Sequence, residues 1–300
     1  MKNFLLLVIV LFFYGGVNAI FAQGCSDAGF CSIEGAFKNS PKEFKNTIDF
    51  GLTIGAGESD VTYISPYLSY TRNFSNQFSL NSKITYSNAN GSFGNLDSFG
   101  DIYFTGNYHF PKNNKWSAFI GTKIPLNTSN KKIDAQSLPM DYQSSLGTLD
   151  LLLGVNYNIN QWDFNAALQI PIVNYNKNSY FKEFSNTTDF VSTNLFERKS
   201  DALFRATYTL KSNNQKWVFQ PNILSLYHLG EDHFINRFNQ KETIKDSDGL
   251  TINGNIITKY IINQSNSIDL SLATPFVVRD VRPDGLTRKF TATVVYHFGF

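Results

Sequence analysis

From Trp162 to Ile172 every second residue is apolar: Trp162, Phe164, Ala166, Leu168, Ile170 and Ile172, while Asp163, Asn165 and Gln169 lie among the positions between. A period of two marks a strand whose faces meet two different environments. The pattern recurs over 148–159, where Leu149, Leu151, Leu153, Val155, Tyr157 and Ile159 oppose Asp150, Asn156 and Asn158. It appears again in Ile48, Phe50, Leu52, Ile54 and Ala56, and in Phe290, Ala292, Val294, Tyr296, Phe298 and Phe300. Asn-rich turns precede many of these runs: 73–78, 111–116, 158–162, 211–217 and 263–268. They predict twelve strands near 47–57, 61–74, 77–88, 99–110, 116–127, 148–159, 162–173, 201–211, 216–228, 250–262, 267–278 and 287–300.

Connections after even-numbered strands are short, whereas 89–98, 128–147, 174–200 and 229–249 read as long loops on the other side. That layout predicts an all-β fold, a transmembrane antiparallel up-and-down β-barrel of about twelve strands, with the short turns in the periplasm. A soluble sandwich or lipocalin-like barrel is equally periodic, but twelve such strands enclose too much space for a dry core. Trp116, Trp162 and Trp217 each follow a short turn, as an aromatic girdle at a membrane interface requires. The chain ends on Tyr296, Phe298 and Phe300 at alternate positions, which resembles the C-terminal sorting signal read by barrel-insertion machinery. Outer-membrane lipids and that machinery are therefore the expected partners. Pro66, Pro125, Pro171, Pro221 and Pro275 interrupt strands; Pro125 and Pro171 are expected near the outer rim, where pairing ends.

Lys2 followed by the apolar run Phe4 to Tyr14 reads as an export signal over 1–22, too short to span a bilayer as a helix. The remaining organisation is a periplasmic N-terminal segment over 23–46 and a barrel over 47–300, in the outer membrane of a Gram-negative bacterium. Cys25 and Cys31 are most simply a small disulfide in an exported chain; lipid attachment at Cys25 and a redox or metal role are the alternatives.

Charged residues are only 17% of the chain against 28 Phe and 15 Tyr, which suits short two-faced strands. A net charge of +2 without a basic block gives no reason to expect nucleic acid. With the apolar set facing lipid, the interior would be lined by Asp49, Asp101, Asp150, Asp163 and Asp269 together with Lys83, Lys123, Arg205, Lys259 and Lys289. Tyr63, Tyr67, Asn81, Asn107, Asn156, Asn165, Gln169, Asn253 and Asn255 would add polar and aromatic contacts. Five acids against five bases imply a charge-balanced lumen without ion preference, passing small uncharged or amphipathic solutes. A structural or adhesive barrel acting through its long loops is the alternative. An outer-membrane lipid hydrolase is weaker, because none of His109, His228, His233 and His297 is followed by Ser at the required spacing. His228, Glu231, Asp232 and His233 are expected as a solvated loop cluster, and no cofactor or metal is called for.

The segment "GTKIPLN", with Gly121 and Pro125, the export signal and the terminal Phe, resembles the transporter barrels of the MetA-pathway phenol-degradation family. Leu126-Asn127 stands where that family commonly has Thr-Gly. The resemblance implies uptake of small hydrophobic or aromatic compounds and carries no binding residue across.

Overall fold

The computed structural model describes residues 44–57, 59–111, 115–284 and 288–300. The export signal, the Cys25/Cys31 pair and all but the last three residues of the 23–46 segment lie outside the described residues. Twelve strands form the wall: β1 Asn46–Gly57, β2 Thr62–Asn73, β3 Phe78–Gly91, β4 Gly94–His109, β5 Trp116–Pro125 and β6 Thr148–Ile159 make the first half. β7 Trp162–Asn174, β8 Asp201–Tyr208, β9 Trp217–His228, β10 Gly249–Ile261, β11 Asn266–Val277 and β12 Arg288–Gly299 complete it. Each pairs antiparallel with the next, and Leu210–Lys211 continues the pairing along β9. β12 returns to β1 from Thr47↔Gly299 to Ala56↔Phe290, and the backbones of Asn46 and Phe300 exchange two 2.9 Å hydrogen bonds beyond that ladder. Among the described residues this closure leaves the barrel wall itself without an unpaired edge. Among the described residues helical structure is confined to the 3₁₀ turns Met140–Tyr142 and Lys182–Phe184, and no helix is long and apolar enough to cross a membrane.

The strict alternation sorts side chains to the two faces. Every strand shows a large apolar side chain on the outside: Phe50, Leu68, Leu80, Phe104, Ile120, Val155, Leu168, Phe204, Ile223, Ile256, Leu270 and Val294. Ile120 is 60% exposed and Ile223 56%, although buried Asn165 and Gln169 lie on the inside of the same wall. An apolar belt continuous around the circumference is far larger than the patches monomeric soluble proteins expose.

The 89–98 segment is not a loop. β3 continues to Gly91 and β4 begins at Gly94, so only Ser92 and Phe93 turn the chain. Packing explains the extension: Ala89, Phe93 and Leu96 lie against Tyr142 and Phe190 from other loops, which gives this hairpin tip an apolar partner. Asn88 and Asn95 tie its outer face with a 2.6 Å hydrogen bond. The long connections are thus 126–147, 175–200 and 229–248, with 278–287 a shorter fourth on the same side.

Proline marks the irregular points of the ladders, since it donates no hydrogen bond. Pro125 ends β5, as expected. Pro171 does not end pairing; β7 runs on to Asn174, and Pro171 sits opposite Asp150 at a register shift. Pro275 lies beside a second shift, at Ile252/Asn253. Opposite Pro221 the β8–β9 ladder breaks between Thr207↔Asn222 and Leu210↔Phe219. At Pro66 the β2–β3 ladder skips from Ile64↔Asn88 to Tyr67↔Thr85.

Candidate functional site

The interior divides into three levels. At the short-turn end a vestibule of about 660 Å³ is lined by Phe44, Asp49, His109, Lys211, Lys259 and His297, among others. His297 on β12 places Nδ1 2.6 Å from Asp49 Oδ1 on β1 and Nε2 2.9 Å from Asp269 Oδ2 on β11, stitching the seam where the barrel closes. Lys259 is the register partner of Asp269 on the facing strand. Asp163 accepts a 2.6 Å hydrogen bond from Asn165, which also donates to Asn156 Oδ1 at 2.8 Å. On the outer face of this end, each tryptophan packs on the tyrosine directly across the ladder: Trp116 on Tyr157, Trp162 on Tyr208 and Trp217 on Tyr260, with ring centroids 4.6, 4.9 and 4.6 Å apart. Near the same end Phe298 and Phe300 stack, and Tyr296 donates to Asn266.

At mid-height the interior narrows to a chamber of about 110 Å³. An engineered cavity that holds benzene is about 150 Å³, so a single aromatic ring overfills this one unless the wall moves. One side of the chamber is hydroxyl-rich, with Thr53, Ser65, Ser271, Thr291 and Thr293. The other side carries Tyr103 and Leu224, which belong to a buried apolar cluster with Phe119, Leu152, Ala167 and Leu203. The lining is therefore two-sided, not polar throughout. Lys83 sits 3.5 Å from the Tyr67 ring, in cation–π contact, and the Arg205 Nε donates to Asn165 Oδ1 at 2.8 Å. The lining also includes Pro66, Tyr86 and Ser87, where the β2–β3 ladder is interrupted.

Beside the chamber, Lys123 Nζ lies 2.8 Å from Asp150 Oδ2 and 3.1 Å from Thr148 Oγ1, and Gln169 donates to the same carboxylate. Lys123 and Asp150 are fully buried, so they bond to each other and do not line an aqueous passage. Asp101 accepts a 2.6 Å bond from Ser145 of the 126–147 loop. Tyr63 reaches up to donate to the Asp141 carbonyl at 2.8 Å and packs within the loops, not along open lumen. Lys289 falls at the register shift between β12 and β1.

The long-loop end is covered. Leu138, Tyr142, Tyr180 and Phe190 form one buried cluster with the β3–β4 tip, and Met140, Leu146, Phe196 and Ile244 form another. Asn174, Asn176 and Asn178 stitch the loops: each side-chain oxygen accepts from the backbone N–H two residues on, at 2.9, 2.9 and 3.0 Å. Their amides reach across, Asn176 to the Leu146 carbonyl and Asn178 to those of Ser129 and Leu138. Burial pushes the Asp141 carboxyl up to about 7.

Beneath this cap lies a buried ionic cluster. Arg198 meets Asp201 at 2.5 Å and Asp284 at 3.4 Å, Arg279 also pairs with Asp284, and His228 lies between Asp201 (Nδ1, 2.6 Å) and Asp232 (Nε2, 2.8 Å). Burial alone would lower the Arg198 value and raise that of Asp284; the opposite charges beside them reverse both, raising Arg198 and lowering Asp284. His228 and Asp232 are thus not a solvated loop cluster but the centre of a dry one, and only Glu231 and His233 of that segment stay partly open to solvent. Among the described residues no group of His, Cys, Asp and Glu is arranged to hold a metal ion.

Sequence reasoning passed over Arg198, Asp201, Arg279 and Asp284. Asp201 shares its parity with Leu203 and Arg205 and could have been found; the other three lie in loops without periodicity. The inner apolar cluster had a readable signal in consecutive apolar residues, Leu151-Leu152-Leu153 and Ala166-Ala167-Leu168, which fill both faces of a strand.

No protein family and no curated protein matches the chain. Solved structures do. The chain is similar to the COG4313 outer membrane channel from Pseudomonas putida F1, at 12% identity and a TM-score of 0.54, covering 88% of this chain and all of that one. It also aligns with a CymD monoaromatic hydrocarbon channel (11% identity, TM-score 0.48, 95% of this chain and 99% of that one) and with a KdgM porin (12%, 0.45, 85% and 99%). The likeness to the COG4313 channel is one of fold.

Proposed function

We propose that this chain is an outer-membrane channel for small uncharged or amphipathic solutes, with its short turns in the periplasm and its long loops outside the cell. The observation that carries the reading is the pairing of an apolar outer belt on all twelve strands with a hollow, polar-and-apolar interior. The outward face suits hydrocarbon. The Trp–Tyr pairs would then form the interfacial girdle, and the stacked Phe298 and Phe300 would present the sorting signal to the insertion machinery. The solved structure that is similar at a TM-score of 0.54 is an outer membrane channel, in agreement with this reading.

The two-sided chamber supports an amphipathic solute, because hydroxyls on one wall and Tyr103 and Leu224 on the other offer both kinds of contact. Uptake of small hydrophobic or aromatic compounds, as the phenol-degradation resemblance implies, fits that lining. The ladder gap at Pro66 gives such a solute a weak point in the wall through which to leave toward lipid. The sealed cap favours the second reading, a structural or adhesive barrel, since Phe184 and Phe238 project from it at 73% and 69% exposure.

Liposome swelling and planar-bilayer conductance test the choice. The channel reading expects swelling by small neutral solutes, increased when the 175–200 and 229–248 loops are shortened. No swelling and no current from the shortened variants would overturn it. A chain that stays monodisperse without detergent would overturn the membrane placement as well.

A further inference from the structure

The ionic cluster under the cap has no role in the passage described above, yet it fastens the cap to the wall at a second place, away from the Ser145–Asp101 and Tyr63–Asp141 bonds. Asp201 and His228 are register partners on β8 and β9. Arg198 comes from the 175–200 loop, Asp232 from the 229–248 loop, and Arg279 and Asp284 from the segment after β11. Three separate loops are thus anchored on one pair of strand ends. Asp232 Oδ1 also accepts from the Lys199 N–H at 2.8 Å, and the Asp232 N–H donates to Ser247 Oγ at 2.8 Å. Arg279 donates to the Ser247 carbonyl at 2.6 Å.

The placement of charges shows what state the cluster is built for. Arg198, Arg279 and Arg282 gather on the Asp284 side of the cluster, whereas Asp232 has its ion-pair contact with His228, whose two ring nitrogens lie between the Asp201 and Asp232 carboxylates. The geometry agrees. A neutral imidazole has a single N–H, so one of the two carboxylate contacts would set lone pair against lone pair. Loss of that proton also takes from the buried Asp232 carboxylate the cationic partner it has at 2.8 Å, and an uncompensated buried charge is strongly destabilising.

We infer that this cluster is a proton-operated latch: it holds the loop cap closed while His228 keeps its proton, and frees the cap when His228 gives the proton up. The inference rests on the channel reading for its consequence, the opening of the outer mouth. By linkage, the closed state is favoured at low pH and loses that advantage as pH rises past the point where the imidazole releases its proton. The groups facing His228 are Asp201 from β8, Asp232 and Ser247 from the 229–248 loop, Arg198 from the 175–200 loop, and Arg279 and Asp284 from the segment after β11. Asp141 in the 126–147 loop acts electrostatically with Asp284 and ionises in the same direction, at about 7. Arg282, whose guanidinium donates to the Arg279 carbonyl at 2.5 Å, stays charged until about 10. His297, at the other end, is the second histidine held between two carboxylates.

The test uses the full chain in planar bilayers from about pH 6 to about pH 10, with wild type, His228→Gln, His297→Gln and Asp141→Asn. A one-proton latch raises the open fraction by up to about tenfold per pH unit between the release point of the freed imidazole and that of the closed one, and levels off above it. His228→Gln is expected to be open at every pH, whereas His297→Gln and Asp141→Asn keep the alkaline rise. A flat wild type, a rise that survives in His228→Gln, or a rise abolished by His297→Gln overturns the latch. A readout without current separates this from the channel reading: thiol labelling of Met140→Cys under the cap, divided by that of Asn239→Cys on the surface, with Cys25 and Cys31 changed to Ser. A labelling ratio that climbs about tenfold per pH unit without any current keeps the latch and removes the channel. A ratio that does not change with pH overturns the latch whatever the current.

Discussion

Replacing Lys123 by Met asks whether the wall beside the chamber is dry. Lys123 and Asp150 are 1% and 0% exposed with 2.8 Å between them, and Gln169 donates to the same carboxylate. At an effective dielectric near 20 their gross attraction at 2.8 Å is ~6 kcal/mol, offset by the several kcal/mol each ion costs to remove from water. Removing one partner forfeits the attraction while the carboxylate remains buried, which puts the loss of stability at about 3–5 kcal/mol. Changing both, Lys123→Met with Asp150→Leu, removes the stranded charge, and the double variant is expected at the wild-type stability or above it. Reversible urea unfolding in detergent micelles or liposomes, followed by the emission of Trp116, Trp162 and Trp217, gives the four corners of the cycle. A single variant costing under ~1 kcal/mol, or a double variant as unstable as the sum of the singles, would refute the reasoning, since both results mean that water screens the pair. Water there would move the solute path to the β5–β6 side of the barrel.

Gly154→Ala should destabilise the barrel by about 1–3 kcal/mol in the same assay, because an added Cβ would lie 2.1 Å from the Phe119 ring, which is enclosed by Leu152, Ala167 and Leu203. Asp141→Asn should remove only the acidic part of the pH dependence of cap stability and leave the alkaline part in place: with the folded carboxyl pushed up to about 7 from 3.8, burial costs stability progressively as pH rises from about 4 to about 7, and hydrogen exchange of the Met140–Tyr142 amides should show the variant better protected than the wild type at pH 7. Lipids brominated near the carbonyl level should quench Trp116, Trp162 and Trp217 to one common extent, since all three occupy the same rung against a cross-strand tyrosine; unequal depths would remove the girdle.

What the sequence carried, and what it withheld, follows from how each part is held together. The wall was legible nearly to the residue because alternation is a local consequence of backbone geometry: Trp162 to Ile172 points outward for the same reason in any strand. The 89–98 segment was misread because its strand character comes from Ala89, Phe93 and Leu96 packing on Tyr142 and Phe190, partners some fifty to one hundred residues away. Alternation also says which residues share a face, but not how a wide interior is filled. Lys123, Asp150 and Gln169 are opposite in parity to exposed apolar residues of their strands, yet nothing local announced that they would seal against one another while Tyr103, Phe119, Leu152 and Leu224 gathered beside them. The latch was the least legible part, because Arg198, His228, Asp232 and Asp284 meet only after three loops have folded over the mouth. Composition pointed the wrong way there: a short run containing His228, Glu231, Asp232 and His233 looks like solvated loop, and only the Arg198 and Arg279 charges brought in from elsewhere make its burial tolerable. The proposed passage and latch therefore rest least on the strands that the pattern reveals and most on loop-borne charges and inward apolar residues, whose partners the pattern does not specify.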